Sequence, residues 1–255
     1  MSFDEVAELY DAVRPAYPEQ LFDDLLALTT TPPQGRVLEV GAGTGQATEQ
    51  LARRALGVLA LEPGPRLADR ARARLARWPA VRVVASTFEA WPAQRDAFHL
   101  VLSATAFHWV DADVGYRKAA ECLVSGGWLG LFWNRHVFGE ASEPFYREVT
   151  ELYRRRAPHL ADSFRLPTLA EAKGDERIAA SGLFGAITVK RYGWQETYDA
   201  TRYTDLLRTY SDHLALPAAT RERLLAEIDA LIRHSFGDEV VLDRATVLYA
   251  AQVRK

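Results

Sequence analysis

Apolar and polar positions along this chain alternate between two periods. Runs of aliphatic and β-branched residues at 36–40, 57–62, 81–86, 97–103 and 127–133 read as buried strands, while 46–55, 66–77 and 111–124 carry apolar residues at helical spacing. Five strands separated by helices imply a parallel sheet with right-handed crossovers, and such sheets bind ligands at the carboxyl ends of their strands. Ahead of this block, Phe3, Val6, Leu9, Tyr10 and Val13 form the stripe of an amphipathic helix, and Leu21–Leu28 forms a second helix. Beyond Asn134 the regular alternation pauses. The pattern there predicts helices at Pro144–Arg156 and near Leu169–Ser181, a strand at Ala186–Gln195, helices near Thr201–Leu214 and Ala218–His234, and a last strand at Thr246–Val253. The 255 residues therefore read as one α/β domain with a core at 36–134, an N-terminal helical segment at 1–30 and helical insertions at 136–182 and 196–243.

The first strand ends in a distinctive turn. Arg36-Val37-Leu38-Glu39-Val40 runs into glycines on alternate positions, Gly41, Gly43 and Gly45, with Ala42 and Thr44 between them and a helix directly after. Residues without a Cβ let a turn adopt backbone angles closed to others and let a ligand approach the main chain. The next strand ends in Glu62, where an α/β nucleotide-binding unit places the carboxylate that takes a ribose. A dinucleotide fingerprint requires Gly or Ala where Gln46 stands, which argues against an NAD-dependent oxidoreductase.

The G-x-G-x-G turn preceded by Glu39 resembles motif I of the class I S-adenosylmethionine-dependent methyltransferases. The resemblance implies a doubly wound α/β fold of seven mostly parallel strands in the order 3-2-1-4-5-7-6, and S-adenosylmethionine as cofactor. Gly41, Ala42, Gly43 and Gly45, with Glu39, would lie beside its methionine part, and Glu62 would hold its ribose. Thr87 stands where many relatives carry an Asp for the adenine amino group; Glu89 is the nearby substitute, and Phe88 and Trp91 either flank the base or pack in the core. The leader Tyr10-x-x-x-Arg14-Pro15-x-Tyr17-Pro18 is similar to a lid that closes over the cofactor, with Arg14 suited to the amino acid carboxylate. Ala106-Phe107-His108-Trp109-Val110-Asp111 resembles the segment that faces the transferable methyl. There His108 is either a general base or a hydrogen-bonded structural residue, and Phe107, Trp109 and Tyr17 would border the acceptor, beneath a roof formed by the helical insertions. The activity implied is in-line methyl transfer to a small-molecule acceptor; a non-catalytic module that kept the cofactor pocket is the rival.

Charge and special residues narrow the partners. A formal net charge of −3 offers no general attraction to phosphate backbones, and the arginines at 66, 70, 72, 74 and 77 scatter around their helix, so no nucleic-acid partner is expected. Cys122 alone cannot make an internal disulfide or a Cys-based zinc site, and the histidines lack paired ligand spacing, so no metal is expected. With neither a signal-like amino terminus nor an apolar run of membrane length, the sequence reads as soluble and cytoplasmic.

Overall fold

Strand β1 (Arg36–Val40) is apolar on both faces, as a strand buried on both sides must be, and even Glu39 within it is fully buried. The computed structural model describes residues 7–161, 166–174 and 177–255. In it β1 pairs in parallel with β2 (Gly57–Glu62) on one side and β4 (Phe98–Ala104) on the other. Beyond them β3 (Val81–Ala85) and β5 (Leu123–His136) extend the sheet, again in parallel. With β6 (Thr188–Tyr198) and β7 (Val240–Gln252) the sheet is seven-stranded and mixed, in the expected order β3-β2-β1-β4-β5-β7-β6. Strand order reverses at β1, so the carboxyl ends of β1 and β4 flank the crevice where such sheets take ligands.

The chain forms two compact units. The sheet unit comprises 16–134, 173–174, 177–192 and 246–255, and includes α2 (Glu19–Thr29), α3 (Gln46–Arg53), α4 (Pro65–Leu75), α5 (Ala112–Cys122) and the short α8 (Arg177–Ala180). Leu21, Phe22 and Leu25 of α2 join its core with Val37, Leu100, Leu102 and Phe132, so the helix expected within a lid at 1–30 is instead a core element. The helical unit comprises 7–15, 135–161, 166–172 and 193–245. It contains α1 (Ala7–Val13), α6 (Glu143–Arg156), α7 (Pro158–Ala161), α9 (Ala200–Leu207), α10 (Ser211–Leu214) and α11 (Ala218–Ser235), packed around Val149, Tyr153, Leu206, Leu225 and Ile228. Phe3 and Val6, expected on the first helical stripe, lie outside the described residues.

Four elements depart from the pattern, each for a local reason. β5 begins at Leu123 instead of Gly127, because Leu123 already pairs with Phe98 and the Gly126-Gly127 step is absorbed as a register shift, with Gly126 at φ +78°. The helix expected near 169–181 does not form as one piece. Gly174 donates its N–H to Tyr249 (3.1 Å) and lies so close to Trp133 that a Cβ would come within 2.4 Å of the indole, which pins extended chain there. The helix expected at 201–214 breaks at Thr209, a buried hydroxyl that donates to the Leu206 carbonyl (2.6 Å). β7 starts at Val240, six residues early, since Asp243 accepts from the Ser142 N–H (3.0 Å) and hydroxyl (2.9 Å) and Arg244 is buried; both polar residues had masked the strand.

Candidate active site

At the carboxyl end of β1 the backbone itself builds the site. Gly41, Gly43 and Gly45 sit at φ +73°, +58° and +83°, a region that L side chains enter at a cost of about 1–2 kcal/mol. Gly41 also meets the end of β4 directly, and a Cβ there would lie 2.3 Å from the Ala106 Cβ. The turn is tied to β2, with the N–H groups of Gly41 and Ala42 both donating to the Leu61 carbonyl (2.9 Å each). Glu62 closes the loop: its carboxylate accepts from the Gly43 N–H (2.8 Å) and the Gly64 N–H (2.9 Å). The glycines and the acid that the sequence paired are thus brought into direct contact.

Glu39 is the chemically unusual group. One carboxyl oxygen accepts from the Thr48 hydroxyl (2.6 Å), and the other is buried without a partner among the described residues. Burial pushes its pKa up to about 8; the Thr48 bond opposes this and the nearby Glu62 carboxylate adds to it. Burial thus favours the protonated form of this carboxyl. Thr44, in the middle of the turn, likewise has a buried hydroxyl without a partner. Two acidic side chains, an orphaned carboxyl oxygen and a cradle that excludes side chains fit a ligand carrying cationic groups and ribose hydroxyls.

Beside β3 the placements are mixed. Thr87 is exposed, and its hydroxyl accepts from the Ala90 N–H (3.1 Å). Glu89 is exposed and accepts from the Asp111 N–H (3.2 Å). Phe88 is only 2% exposed, packed on Phe107 with the Lys118 ammonium 5.4 Å from its ring centre, so the structure corrects the base-flanking reading: this ring is core. Trp91 is buried with it, and Lys118 also donates to the Trp91 and Glu89 carbonyls.

The segment after β4 shows a further correction. Phe107 is buried against Tyr116 (5.1 Å between ring centres), whereas Trp109 is 63% exposed. His108 accepts from the Trp133 indole N–H at Nδ1 (3.2 Å). An indole nitrogen only donates, so the neutral imidazole carries its proton on Nε2. The indole thus occupies Nδ1, the hydrogen-bonded structural role that the sequence offered for His108 beside that of a general base.

Thr105, which sequence reasoning passed over, is a β-branched residue at φ +57°. Its N–H donates to the Phe132 carbonyl (2.8 Å), and its hydroxyl shares a hydrogen bond with Tyr17 (3.0 Å), whose ring stands edge-on to Phe132. The small residues of Ser103-Ala104-Thr105-Ala106 were the available signal, because Gly41 approaches too closely for larger ones. Asn134 donates to the Ala16 carbonyl (3.2 Å) and accepts from Thr246 (2.6 Å), anchoring this half of the leader on the sheet. Arg14 is committed within the helical unit, donating to the Thr209 hydroxyl (2.9 Å) and carbonyl (2.6 Å) and lying 4.7 Å from the Tyr210 ring centre. That engagement replaces the carboxylate contact expected of it. Tyr10 belongs to α1, and its side chain lies outside the described residues.

Among the described residues no cluster has metal-ligand geometry, and no helix is long and apolar enough to cross a membrane.

The sequence and fold have counterparts in known proteins. Residues 37–127 match the family model described as a methyltransferase domain. A putative type II methyltransferase from Anaeromyxobacter dehalogenans superposes with a TM-score of 0.61 at 23% identity, covering 94% of this chain and 97% of that one. A Haemonchus contortus phosphoethanolamine N-methyltransferase 2, solved with phosphomonomethylethanolamine and S-adenosylhomocysteine, gives 0.54 at 17% identity, covering 99% of this chain and 58% of that one. The seven-stranded fold is therefore one that solved methyltransferases share. In sequence the chain is 29% identical over 232 residues to an uncharacterized methyltransferase of Mycobacterium tuberculosis, covering 91% of this chain and 86% of the relative. Over residues 37–127 the chain carries a methyltransferase domain, on a fold shared with solved methyltransferases.

Proposed function

We propose that this methyltransferase binds S-adenosylmethionine across Gly41, Ala42, Gly43 and Gly45 and passes its methyl group to a small-molecule acceptor. The observation that carries this reading is the Gly43 to Glu62 hydrogen bond beside the orphaned Glu39 carboxyl. When bound, the cofactor would supply an electrophilic methyl on a sulfonium, which an acceptor attacks in line as the thioether leaves, without a covalent enzyme intermediate. The protein's task is alignment and exclusion of water. Glu62, held by two backbone N–H groups, is oriented to take ribose hydroxyls. Glu39 offers its free oxygen to the amino acid ammonium, and a cation there would draw the proton off a carboxyl whose pKa is near 8. His108, donating through Nε2, and Tyr17, paired with Thr105, hold polar groups at the end of β4. The acceptor's small size is supported by the phosphobase ligand of the Haemonchus structure and by the absence of net positive charge in this chain.

Calorimetry tests the assignment. S-adenosylmethionine should bind and NADH should not. Gly43→Val should block close approach to the turn, and Glu62→Ala should weaken binding about ten- to a hundredfold through loss of charge-assisted hydrogen bonds. Binding of NADH with no response to S-adenosylmethionine would overturn the proposal.

A further inference from the structure

The helical unit holds a cavity of about 110 Å³ lined by Tyr146, Tyr153, Tyr203, Tyr210, His136 and His213, and hydrogen bonds between Tyr153 and His213 (2.6 Å) and between Tyr146 and His136 (2.5 Å) join its own walls. The rim of the sheet is different. β6 ends the strand order, with β7 on one side and no strand on the other among the described residues. It is eleven residues long, half-buried and exposed positions alternate strictly from Thr188 to Thr197, and it carries no proline, one of the devices that keep natural edge strands from pairing.

When two copies of one strand pair antiparallel about a two-fold axis normal to the sheet, residues directly opposite share a face, so the axis must pass through a residue. The midpoint of β6 is Gly193. An axis there sets Lys190 opposite Glu196 and Tyr192 opposite Trp194, each pair twice, which joins opposite charges and aromatic rings. An axis at Tyr192 or Trp194 would instead set Lys190 opposite Trp194 or Tyr198, so strand length and charge select the same register independently. Arg202 donates to the Thr197 carbonyl (2.8 Å), which ends the paired stretch at Glu196 and, by symmetry, at Lys190. Both charges are already ordered in their own chain, Lys190 by Asp24 (3.0 Å) and Glu196 by Arg202 and the Tyr198 hydroxyl (2.6 Å), which lowers the entropy lost on pairing. The opposite face of β6 adds apolar surface. Leu169, 39% exposed, sits on Gly193, where a Cβ would come within 2.9 Å of its Cδ2. Phe138, 54% exposed, is tied to the same segment by its N–H bond to the Pro167 carbonyl (2.8 Å). With Val189 on β6 itself, these are three of the four large apolar side chains exposed among the described residues, the other being Trp109. An axis through Gly193 brings the two Leu169 side chains together and removes them from water.

We propose that β6 is a self-association surface: two copies of this chain pair their β6 strands antiparallel about an axis through Gly193 and join their sheets edge to edge. The occupant is a second copy because an identical strand supplies the Lys190–Glu196 pair in both directions. The backbone groups along the open edge gain partners, and the apolar side chains beside it are covered in the same step. A ladder of seven residues with a small apolar patch is less than the roughly 800 Å² per partner of a standard interface, so the dimer forms in the range of about 1 to 100 µM. It does not depend on the cofactor.

Sedimentation equilibrium of the full chain across that concentration range tests the proposal. The wild type should move from 28.5 kDa towards twice that mass. Lys190→Glu sets like charges opposite each other twice and should weaken the dimer about tenfold. Gly193→Asp places two carboxylates at the axis and should leave a monomer, its own Cβ displacing only the flexible end of Leu169. Circular dichroism reports whether each variant folds, and Lys190→Glu, whose ion pair with Asp24 lies at the surface, carries the test if Gly193→Asp does not. Cross-linking reads the register, because Cys122 is the chain's one cysteine and is buried. Gly193→Cys faces its own copy and should oxidise to a disulfide-linked dimer, whereas Arg191→Cys faces Gln195, four residues or roughly 13 Å along the strand from its copy, and should not. A wild-type monomer throughout the range, a dimer that both charge variants leave unchanged, or equal cross-linking at 191 and 193 would each overturn the proposal.

Discussion

The glycine turn and the tyrosine-lined cavity position polar groups by opposite means, and they respond to pH in opposite senses. At the turn the main chain does the building: consecutive residues fix their own geometry, and Glu62 is oriented by backbone N–H groups. In the cavity side chains do the building, and His136, Tyr153 and His213 are oriented by phenol, carboxylate and guanidinium partners from separate segments. The turn holds a carboxyl that burial keeps protonated, whereas the cavity holds an imidazole that burial and two guanidiniums keep unprotonated.

The largest expected effect tests the first half of that contrast. Because the folded-state pKa of Glu39 is raised from 4.5 to about 8, its contribution to stability is fully present below pH 4.5 and is lost as pH rises through 8. The loss should be on the order of 3 to 6 kcal/mol. Urea unfolding followed across that range should show the decline in the wild type and its loss in Glu39→Gln. A decline that survives the substitution would assign the pH dependence elsewhere.

Gly41→Ala comes next. It combines a left-handed backbone angle with a contact at 2.3 Å, and should destabilise the protein by about 2–4 kcal/mol. Gly182→Ala shares the positive φ but meets nothing within 4 Å, so equal losses in the two variants would show that the approach of Ala106 does not matter.

His136 supplies the opposite pH response. Its folded-state pKa is depressed, so its contribution is present above the ordinary value near 6.5 and is lost as pH falls below it, while the unfolded chain takes up the proton. Amide protection in α9 and α10 should therefore weaken on acidification, in the range where the Glu39 contribution is recovering. Protection that stays level between neutral and mildly acid pH would remove His136 as the cause. The smallest effect belongs to Tyr17→Phe, which removes the hydrogen bond to Thr105 and should cost about 1 kcal/mol in thermal or urea unfolding.

The same contrast explains what could be read from the sequence. Gly41, Gly43, Gly45 and Glu62 were legible because a backbone-built site needs particular residues at fixed short spacings. Phe88 and Phe107 were not, since an aromatic just past a strand has the same spelling whether it faces a ligand or the core; burial by each other and by Tyr116 decided it. The His108 tautomer depends on Trp133, one strand away and silent in any local pattern. The start of β7 was hidden because Asp243 and Arg244 read as loop residues until Ser142 and Tyr198 were there to bind them. The cavity draws on positions from 136 to 213, so no window of sequence contains it.

Arg14's grip on Thr209 also has a consequence for biosynthesis. The two partners are 195 positions apart, and at translation rates of about 5–20 residues per second the guanidinium is made roughly 10–40 s before its acceptor exists. Strands β1 to β4 can pair during that interval, because each neighbours one already made. β7, however, lies between β5 and β6 and is synthesised after both, so the growing sheet carries two open edges until the last strand slots between them. The segment around Arg14 and those edges are what a chaperone would meet on the nascent chain, and slow, late closure is the kinetic signature this topology should leave in refolding.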